Sequence, residues 1–234
     1  MSNRRHLKRL NTPKSWPIKK KENRYVARPR PGPHKLRECI PLSLLLKNVL
    51  KYAKTTREVK KILSDKKLLI DKKFRKDPNF PIGLMDIIEF PEINEYYRVL
   101  IDQKGTLMLN KITKQEANHK TCKIIGKTYL KKKKIQLNLY DGKNILIDKD
   151  EYKVGDSVII DLEKNKVVKH IKLEKGASIF LIDGGSLGKF GILDEIKIQE
   201  GSLPPRVIFT IDKDKAETRK DFVYVVDKSI IPKK

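Results

Sequence analysis

The clearest fold signal in the chain is the stretch IQLNLYDGKNILI, which spans residues 135–147. Two runs that alternate apolar and polar residues flank the dipeptide Asp141-Gly142, and this pair favours the tight turn of a β-hairpin. Similar runs lie on both sides of the stretch, with turn residues about every ten positions. This spacing indicates antiparallel strands and small barrels rather than a parallel sheet.

The alternation extends outward from this hairpin in both directions. Upstream, a turn at Lys104-Gly105 separates two alternating runs, the first of which begins near Tyr96. We predict a central antiparallel β domain over residues 96–173, and a small β-barrel with further strands over residues 174–234. Downstream of the hairpin, the expected strands cover residues 154–162, 167–173, 178–182, 206–211 and 222–226.

Ahead of the β-rich region, the period changes to that of a helix. Leucine and valine recur at intervals of three and four over residues 42–50, which predicts one apolar helical stripe. The sequence Thr55-Thr56-Arg57-Glu58 is a capping box that starts a second amphipathic helix. Short strands at residues 68–70 and 82–90, joined by a basic loop, complete a small mixed α/β module over residues 41–95.

Residues 1–40 differ from the rest of the chain in composition. They are basic, poor in apolar residues and rich in proline, which removes backbone donors and favours extended geometry. We expect an extended, mostly irregular arm that lies along another molecule and is partly disordered when the protein is alone. With the module and the two β domains, the sequence predicts a multidomain α+β protein.

Positive charge is concentrated in the first third of the chain. The chain has 54 Lys and Arg residues against 29 Asp and Glu residues, a formal net charge of +25. Residues 1–40 contribute +11 and residues 41–76 contribute +9, whereas residues 77–234 contribute +5. Such a surface attracts a polyanion and binds it by releasing condensed counterions, so the affinity should fall steeply with salt.

Several classes of protein are disfavoured by the composition. The sequence has no apolar stretch of signal-peptide or membrane-spanning length, so we expect a soluble, intracellular protein with no membrane partner. The two cysteines, Cys39 and Cys122, belong to no CxxC pair or Cys/His quartet. We therefore expect reduced thiols and no metal site.

Signals of catalysis are equally sparse. The glycines between Gly184 and Gly191 lack the lysine followed by serine or threonine of a nucleotide-binding loop, and they better suit a tight barrel turn. The four histidines are scattered, and Asp183, Asp194 and Glu195 suit charges at a barrel edge. We predict that the protein is not an enzyme and uses no cofactor or small-molecule substrate.

Several ordered motifs resemble those of one family. The segments HLKRL at residues 6–10, PKSW at residues 13–16 and ARPRPGPHKLRE at residues 27–38, followed by Pro41-Leu42, resemble the N-terminal signature of the S-four-e family of small-subunit ribosomal proteins, found in archaea and eukaryotes. Residues 42–101 are similar to the RNA-binding module that this family shares with another small-subunit ribosomal protein, pseudouridine synthases and tyrosyl-tRNA synthetases.

The glycine-rich segment GGSLGKFGI, residues 184–192, is similar to a KOW segment, a small barrel motif of ribosomal and transcription-elongation proteins. This resemblance implies that residues 174–234 form a KOW-type small β-barrel. Lys189 is the one basic residue in the segment, so we expect little RNA contact at this loop. The resemblance covers nearly the whole chain, in the domain order of the family.

Candidate RNA contacts come from the arm and the module. Arginine suits this role because its planar guanidinium pairs with phosphate through two hydrogen bonds and stacks on bases. The alternatives are a solubilising or nuclear-targeting tail for the arm, a solvated charged face for the module, and an apolar contact for Trp16. The run Lys131–Lys134 suits a solvated loop edge as well as a phosphate contact. The predicted set is Arg4, Arg5, His6, Lys8, Arg9, Lys14, Trp16, Lys19, Lys20, Lys21, Arg28, Arg30, His34, Lys35, Arg37, Lys47, Lys51, Lys54, Arg57, Lys60, Lys61, Lys72, Lys73, Arg75 and Lys76.

Charge and resemblance together predict a structural constituent of the small ribosomal subunit that supports translation in the cytoplasm. The arm and the module would bind small-subunit ribosomal RNA through phosphates and shape, and the β domains would pack against RNA edges and neighbouring ribosomal proteins. Two alternatives remain open. One is a free RNA-binding regulator or transcription-elongation-type factor, and the other is the targeting part of an RNA-modifying enzyme.

Overall fold

The computed structural model of the protein describes residues 6–131, 134–148, 150–197, 204–211, 214–227 and 230. The chain divides into two compact units. One unit spans Met1–Ile101 and Thr106–Asn118, and the other spans Asp102–Gly105 and His119–Lys234. Both are built mainly from short antiparallel strands, so the fold is mostly β with few helices.

The N-terminal arm packs on the first unit. Its strand β1 (Leu7–Lys8) leads into a 3₁₀ turn and pairs antiparallel with β2 (Tyr25–Val26). Between these strands the Trp16 indole lies in the core and donates to the Cys39 carbonyl at 2.5 Å. In the structure the arm packs against the rest of its own chain, because Trp16 lies in the core and Leu7, Ile18, Val26 and Ala27 pack against it.

Two helical segments follow the arm. Strand β3 (Cys39–Pro41) runs into helix α1 (Leu42–Leu44), which continues as a π turn over Leu45–Val49. Helix α2 spans Thr56–Ser64 and begins with the predicted capping box. The Thr55 hydroxyl accepts from the Glu58 amide at 3.2 Å, and the Glu58 carboxylate accepts from the Thr55 amide at 3.4 Å.

An antiparallel sheet completes the first unit. The strand that begins near Tyr96 was expected to belong to the central β domain. In the structure it pairs with a strand of the module instead, with Tyr96 opposite Glu89. One buried apolar cluster joins Trp16 of the arm, the helices and this sheet. The sheet has the strand order β5-β4-β7-β8-β9, and its strands are β4 (Leu69–Ile70), β5 (Lys73–Phe74), β7 (Ile87–Phe90), β8 (Glu95–Ile101) and β9 (Leu107–Lys111). Strand β6 (Pro81–Gly83) is not part of this sheet and pairs with β3.

The second unit contains the hairpin that the sequence signals most strongly. The turn is one residue longer than a two-residue hairpin, since the Leu139 amide donates to the Lys143 carbonyl at 3.0 Å across it. Gly142 adopts a φ of 74°, as a three-residue hairpin turn requires. The strands here are β10 (His119–Tyr129), β11 (Ile135–Leu139), β12 (Asn144–Ile147), β13 (Ser157–Asp161) and β14 (Lys166–Ile171), in the order β12-β11-β10-β13-β14.

The central strand β10 was not predicted from the sequence. The strand lacks a visible alternation of apolar and polar residues, because a lysine occupies a buried position. Lys120 is only 1% exposed, and its ammonium lies 3.0 Å from the Asp141 carboxylate. Burial alone would raise the pKa of Asp141, but the ammonium groups of Lys120 and Lys143 lower it below its usual value. A buried ion pair thus occupies positions where a sequence pattern expects apolar side chains.

A second sheet forms the C-terminal part of this unit. Strands were predicted near β15, β17 and β19. The sequence did not predict β16, which begins inside the glycine-rich segment, or β18, in which Ala216 is the one apolar residue. Among the described residues, β18 and β19 are the edge strands of this sheet. The KOW-type barrel stays a prediction. The strands are β15 (Ser178–Leu181), β16 (Phe190–Lys197), β17 (Arg206–Ile211), β18 (Asp214–Arg219) and β19 (Val223–Val225), in the order β18-β17-β16-β15-β19.

A buried tyrosine links the two sheets of the second unit. The Tyr224 hydroxyl donates to the Thr121 carbonyl at 2.8 Å and accepts from the Lys123 amide at 3.0 Å. The Lys123 ammonium in turn donates to the Asp221 carbonyl at 2.7 Å. These contacts bond β10 to the C-terminal sheet, so the central and C-terminal β regions predicted as separate domains share one compact unit.

Candidate nucleic-acid interface

Helix α2 presents a basic face. Val59 and Leu63 are buried, and the intervening helical spacing turns Arg57, Lys60 and Lys61 outward, where all three are exposed. Within the described part of the chain, none of these three cations forms an ion pair with an acid. The face can therefore offer its full positive charge to an external anion.

The hairpin that follows α2 is also basic, but its cations differ in availability. The Lys72 ammonium is half-buried and lies 3.0 Å from the Glu89 carboxylate. The Arg75 guanidinium lies over the Phe80 ring, 4.4 Å from its centroid. Lys73 and Lys76 are exposed. This hairpin therefore offers two free lysines, whereas Lys72 and Arg75 are held by contacts within the chain.

Cations near α1 and in the arm extend this surface. Lys51 and Lys54 are exposed, and Lys47 is half-buried. Arg30 pairs with Asp77 at 3.2 Å, and Lys35 lies 3.7 Å from Glu38. The other exposed candidates of the arm are His6, Lys8, Lys14, Lys19, Lys20, Lys21, Arg28 and Arg37.

Three predicted contact residues lie inside the protein instead. The Arg9 guanidinium donates to the Lys19 carbonyl at 2.6 Å and pairs with Glu22 at 3.0 Å. The His34 imidazole lies 2.8 Å from the Asp86 carboxylate, with both side chains buried.

Trp16 is the third predicted contact residue that lies inside the protein, where its indole donates to the Cys39 carbonyl. We correct the predicted set accordingly, because these three side chains are buried and each is bonded to another part of the chain. Of the remaining candidates, Arg4 and Arg5 lie outside the described residues.

Other residues of the basic surface were missed from the sequence. Arg24 lies over the exposed Tyr25 ring, 5.4 Å from its centroid. The Lys66 ammonium lies 6.0 Å from the centroid of the Phe74 ring. Aromatic residues interleaved with cations are the sequence signal that could have drawn attention to Tyr25 and Phe74.

The basic features of the second unit are less concentrated. Lys131 and Lys134 are exposed, and the two lysines between them lie outside the described residues. Lys189 is exposed in the turn between β15 and β16. In the same turn Gly188 has a φ of 73°, and a Cβ there would lie 2.5 Å from the carbonyl carbon of Asp102, so the turn requires glycine.

Three regions of the sequence match known families. Residues 1–37 match the RS4NT (NUC023) domain, residues 42–88 match the S4 domain, and residues 93–167 match the ribosomal family S4e. The small ribosomal subunit protein eS4 of Methanosphaera stadtmanae is 41% identical over 233 residues, which cover 99% of this chain and 96% of that protein. The chain belongs to the S4e family. A second member, protein eS4 of Methanothermobacter thermautotrophicus, is 37% identical over 234 residues, with the same coverage of 99% and 96%.

The fold of this S4e protein also matches a solved structure. The crystal structure of the 30S ribosomal protein S4e from Thermoplasma acidophilum superposes with a TM-score of 0.70 and 29% sequence identity, over 81% of this chain and 95% of that chain. The family resemblance drawn from the N-terminal motifs is confirmed. The match to the S4 domain covers most of the module that carries α2 and its basic face.

The described part of this S4e chain offers little chemistry beyond charge. It contains no group of three or more His, Cys, Asp or Glu side chains that could hold a metal ion. Both cysteines are buried free thiols, and burial raises the pKa of Cys39 to about 12, which keeps that thiol protonated and unreactive. None of the helices in the described ranges has the length and apolar character needed to cross a bilayer.

Proposed function

We propose that the protein is a structural constituent of the small ribosomal subunit, which binds small-subunit ribosomal RNA and supports translation in the cytoplasm. The observation that carries this proposal is the exposed basic face of α2, whose cations Arg57, Lys60 and Lys61 have no acidic partner among the described residues. Three curated relatives, each named small ribosomal subunit protein eS4, support the same function.

The physical basis of binding is neutralisation of phosphate. Each cation that contacts a phosphate releases condensed counterions, and this gain does not depend on the RNA sequence. Within the proposal, the arm and the module form one contact surface, and Arg4 and Arg5 are retained on their sequence alone. The contact residues with described positions are His6, Lys8, Lys14, Lys19, Lys20, Lys21, Arg28, Arg30, Lys35, Arg37, Lys47, Lys51, Lys54, Arg57, Lys60, Lys61, Lys73 and Lys76, with Lys72 and Arg75 as secondary contacts.

The second unit has a different role in this proposal. It packs against RNA edges and neighbouring ribosomal proteins, because its sequence carries much less positive charge per residue than the first third of the chain. Residues 174–234 form the KOW-type barrel, with the turn around Gly188 as its signature. In this proposal the protein acts as architecture and catalyses no reaction, which its membership of a family of ribosomal proteins supports.

Density-gradient sedimentation of cell extracts tests the proposal. At moderate salt we expect the protein to sediment with the small ribosomal subunit, and at high salt we expect it to be stripped from the particle because phosphate contacts are screened. Recovery at the top of the gradient at moderate salt, bound to other RNAs, would instead identify a free RNA-binding regulator. A modified nucleoside produced on structured RNA by the purified protein would contradict the absence of catalysis.

A further inference from the structure

Phe74 differs from the other side chains of the basic surface, because it is apolar and half exposed. The residue is 52% exposed, although a phenyl group has no polar atom to bond with water. Single exposed apolar residues are common, so exposure alone does not indicate a binding role for this ring, and its neighbours must be considered. Lys73, Arg75 and Lys76 surround it in sequence, and an aromatic ring among cations is typical of surfaces that bind unpaired nucleotides.

The backbone holds this ring in a fixed position. Asp71 and Lys72 form the turn between β4 and β5, with φ values of 50° and 61° that suit a two-residue hairpin. The Asp71 carboxylate accepts from the Ile87 amide at 3.1 Å, and the Lys72 ammonium bonds the Glu89 carboxylate at 3.0 Å. Phe74 therefore projects from an edge strand that the sheet itself anchors.

The charges around the ring connect it to the basic face of α2. The Lys66 ammonium, just beyond the end of α2, lies over the ring at 6.0 Å from its centroid. Lys73 and Lys76 are exposed, and among the described residues neither forms an ion pair. A ligand at this ring must therefore present both a flat apolar surface and negative charge.

We propose that Phe74 is a stacking platform for an unpaired base of the RNA, and that Lys66, Lys73 and Lys76 contact the phosphates beside that base. This inference rests on the proposed function. Bases inside an A-form helix are already stacked, so the base at Phe74 comes from a loop, a bulge or a junction. An apolar pocket of a partner protein fits less well, because it would bury these ammonium groups without a counter-charge.

Binding of transcribed small-subunit ribosomal RNA by the full-length chain tests the inference, measured over a series of KCl concentrations. We expect Phe74→Ala to weaken binding about 5- to 150-fold, the range typical of one lost stacked base. The slope of log affinity against log salt should stay unchanged, because no charge is removed. Phe74→Tyr should keep the wild-type affinity, and Phe74→Leu should weaken binding because it keeps an apolar side chain but lacks the aromatic face.

Ile93→Ala is the matched control, because Ile93 is 54% exposed in the same unit but outside the basic surface. It should leave RNA affinity unchanged, and far-UV circular dichroism should show that every variant folds. Wild-type affinity of Phe74→Ala would overturn the inference. If that variant also entered small subunits poorly, a protein pocket would be the partner of Phe74. Failure of the wild-type chain to bind the RNA at low salt would instead contradict the proposed function.

Discussion

At the scale of single residues, partners within the chain separate structural side chains from candidate contacts. Arg9, Trp16 and His34 have the chemistry that binds RNA, so residue type alone cannot distinguish them from the exposed set. Their partners lie 13, 23 and 52 residues away in the sequence, respectively. No local sequence pattern indicates contacts between residues so far apart. For this reason the sequence-based prediction wrongly included these three residues among the RNA contacts.

Replacing Trp16 tests whether the arm belongs to the core of the first unit. Trp16→Ala removes a buried indole and its hydrogen bond to the Cys39 carbonyl, so we expect the free energy of unfolding to fall by about 3–5 kcal/mol. Tyr25→Ala truncates a ring of the same arm that is 49% exposed, and it should change stability by about 0.5 kcal/mol or less. Urea unfolding followed by circular dichroism measures both variants. Similar small losses would mean that the arm is not docked.

Lys123 should make stability depend on pH in the alkaline range. Burial lowers the pKa of its ammonium to about 8, against about 10.4 in an unfolded chain. Between these values the unfolded chain holds a proton that the folded chain has released, so the free energy of unfolding rises with pH. We expect a rise of about 2 kcal/mol from pH 8 to pH 10 from this group, and we expect Lys123→Met to remove it.

Urea unfolding at pH 8, 9 and 10 measures this effect. Lys164→Met is the control, because Lys164 is an exposed lysine of the same unit and its loss should leave the pH dependence intact. Parallel pH curves for the wild type and Lys123→Met would contradict the expected result.

At the scale of elements, local signals were predictable and long-range pairing was not. The capping box of α2 and the hairpin at Asp141-Gly142 were found because the residues that form them are adjacent in sequence. β10 was missed because Lys120 and Lys123 are buried within it, each satisfied by a distant partner. For the interface, the sequence identified the run of cations, but it could not show which cations are already paired within the chain.

The basic face of α2 should account for a measurable part of the salt dependence of RNA binding. Lys60→Gln and Lys61→Gln should each lower the slope of log affinity against log salt by about 0.9, provided each contacts one duplex phosphate. Lys67→Gln is the matched control, because the Lys67 ammonium is already paired with Glu92 at 3.0 Å. Fluorescence anisotropy of labelled ribosomal RNA over a KCl series gives the slopes. Identical slopes for Lys60→Gln and Lys67→Gln would exclude the α2 face from the contact.

At the scale of the whole molecule, positive charge is concentrated in the first unit. Residues 1–40 contribute +11 and residues 41–76 contribute +9 to the net charge of +25, and all of them belong to that unit. Exposed lysines occur in both units, so the difference lies in the density of the charge. Long-range attraction of RNA should act mainly on the first unit.

Two matched triple variants test this asymmetry. Replacing Lys19, Lys20 and Lys21 with glutamine should lower the salt slope by up to about 2.7 without destabilising the fold, because all three are exposed. Replacing Lys164, Lys166 and Lys175 of the second unit, also exposed, should leave the slope unchanged. Filter binding to ribosomal RNA measures both. Deletion of residues 1–37 is a poorer test, since it also removes Trp16 from the core. Equal slopes for the two triple variants would refute the asymmetry.

The docking of the arm through Trp16 and His34 has a consequence for how the particle is built. A segment that becomes ordered only on binding loses roughly 1–2 kcal/mol of backbone entropy per residue at that moment. Because Trp16 and His34 are buried within the first unit, we expect the arm to take its shape when the chain folds, so that its candidate RNA contacts are pre-organised before any RNA arrives. We therefore expect the first unit to act as a preformed template during assembly, while the RNA makes most of the conformational adjustment.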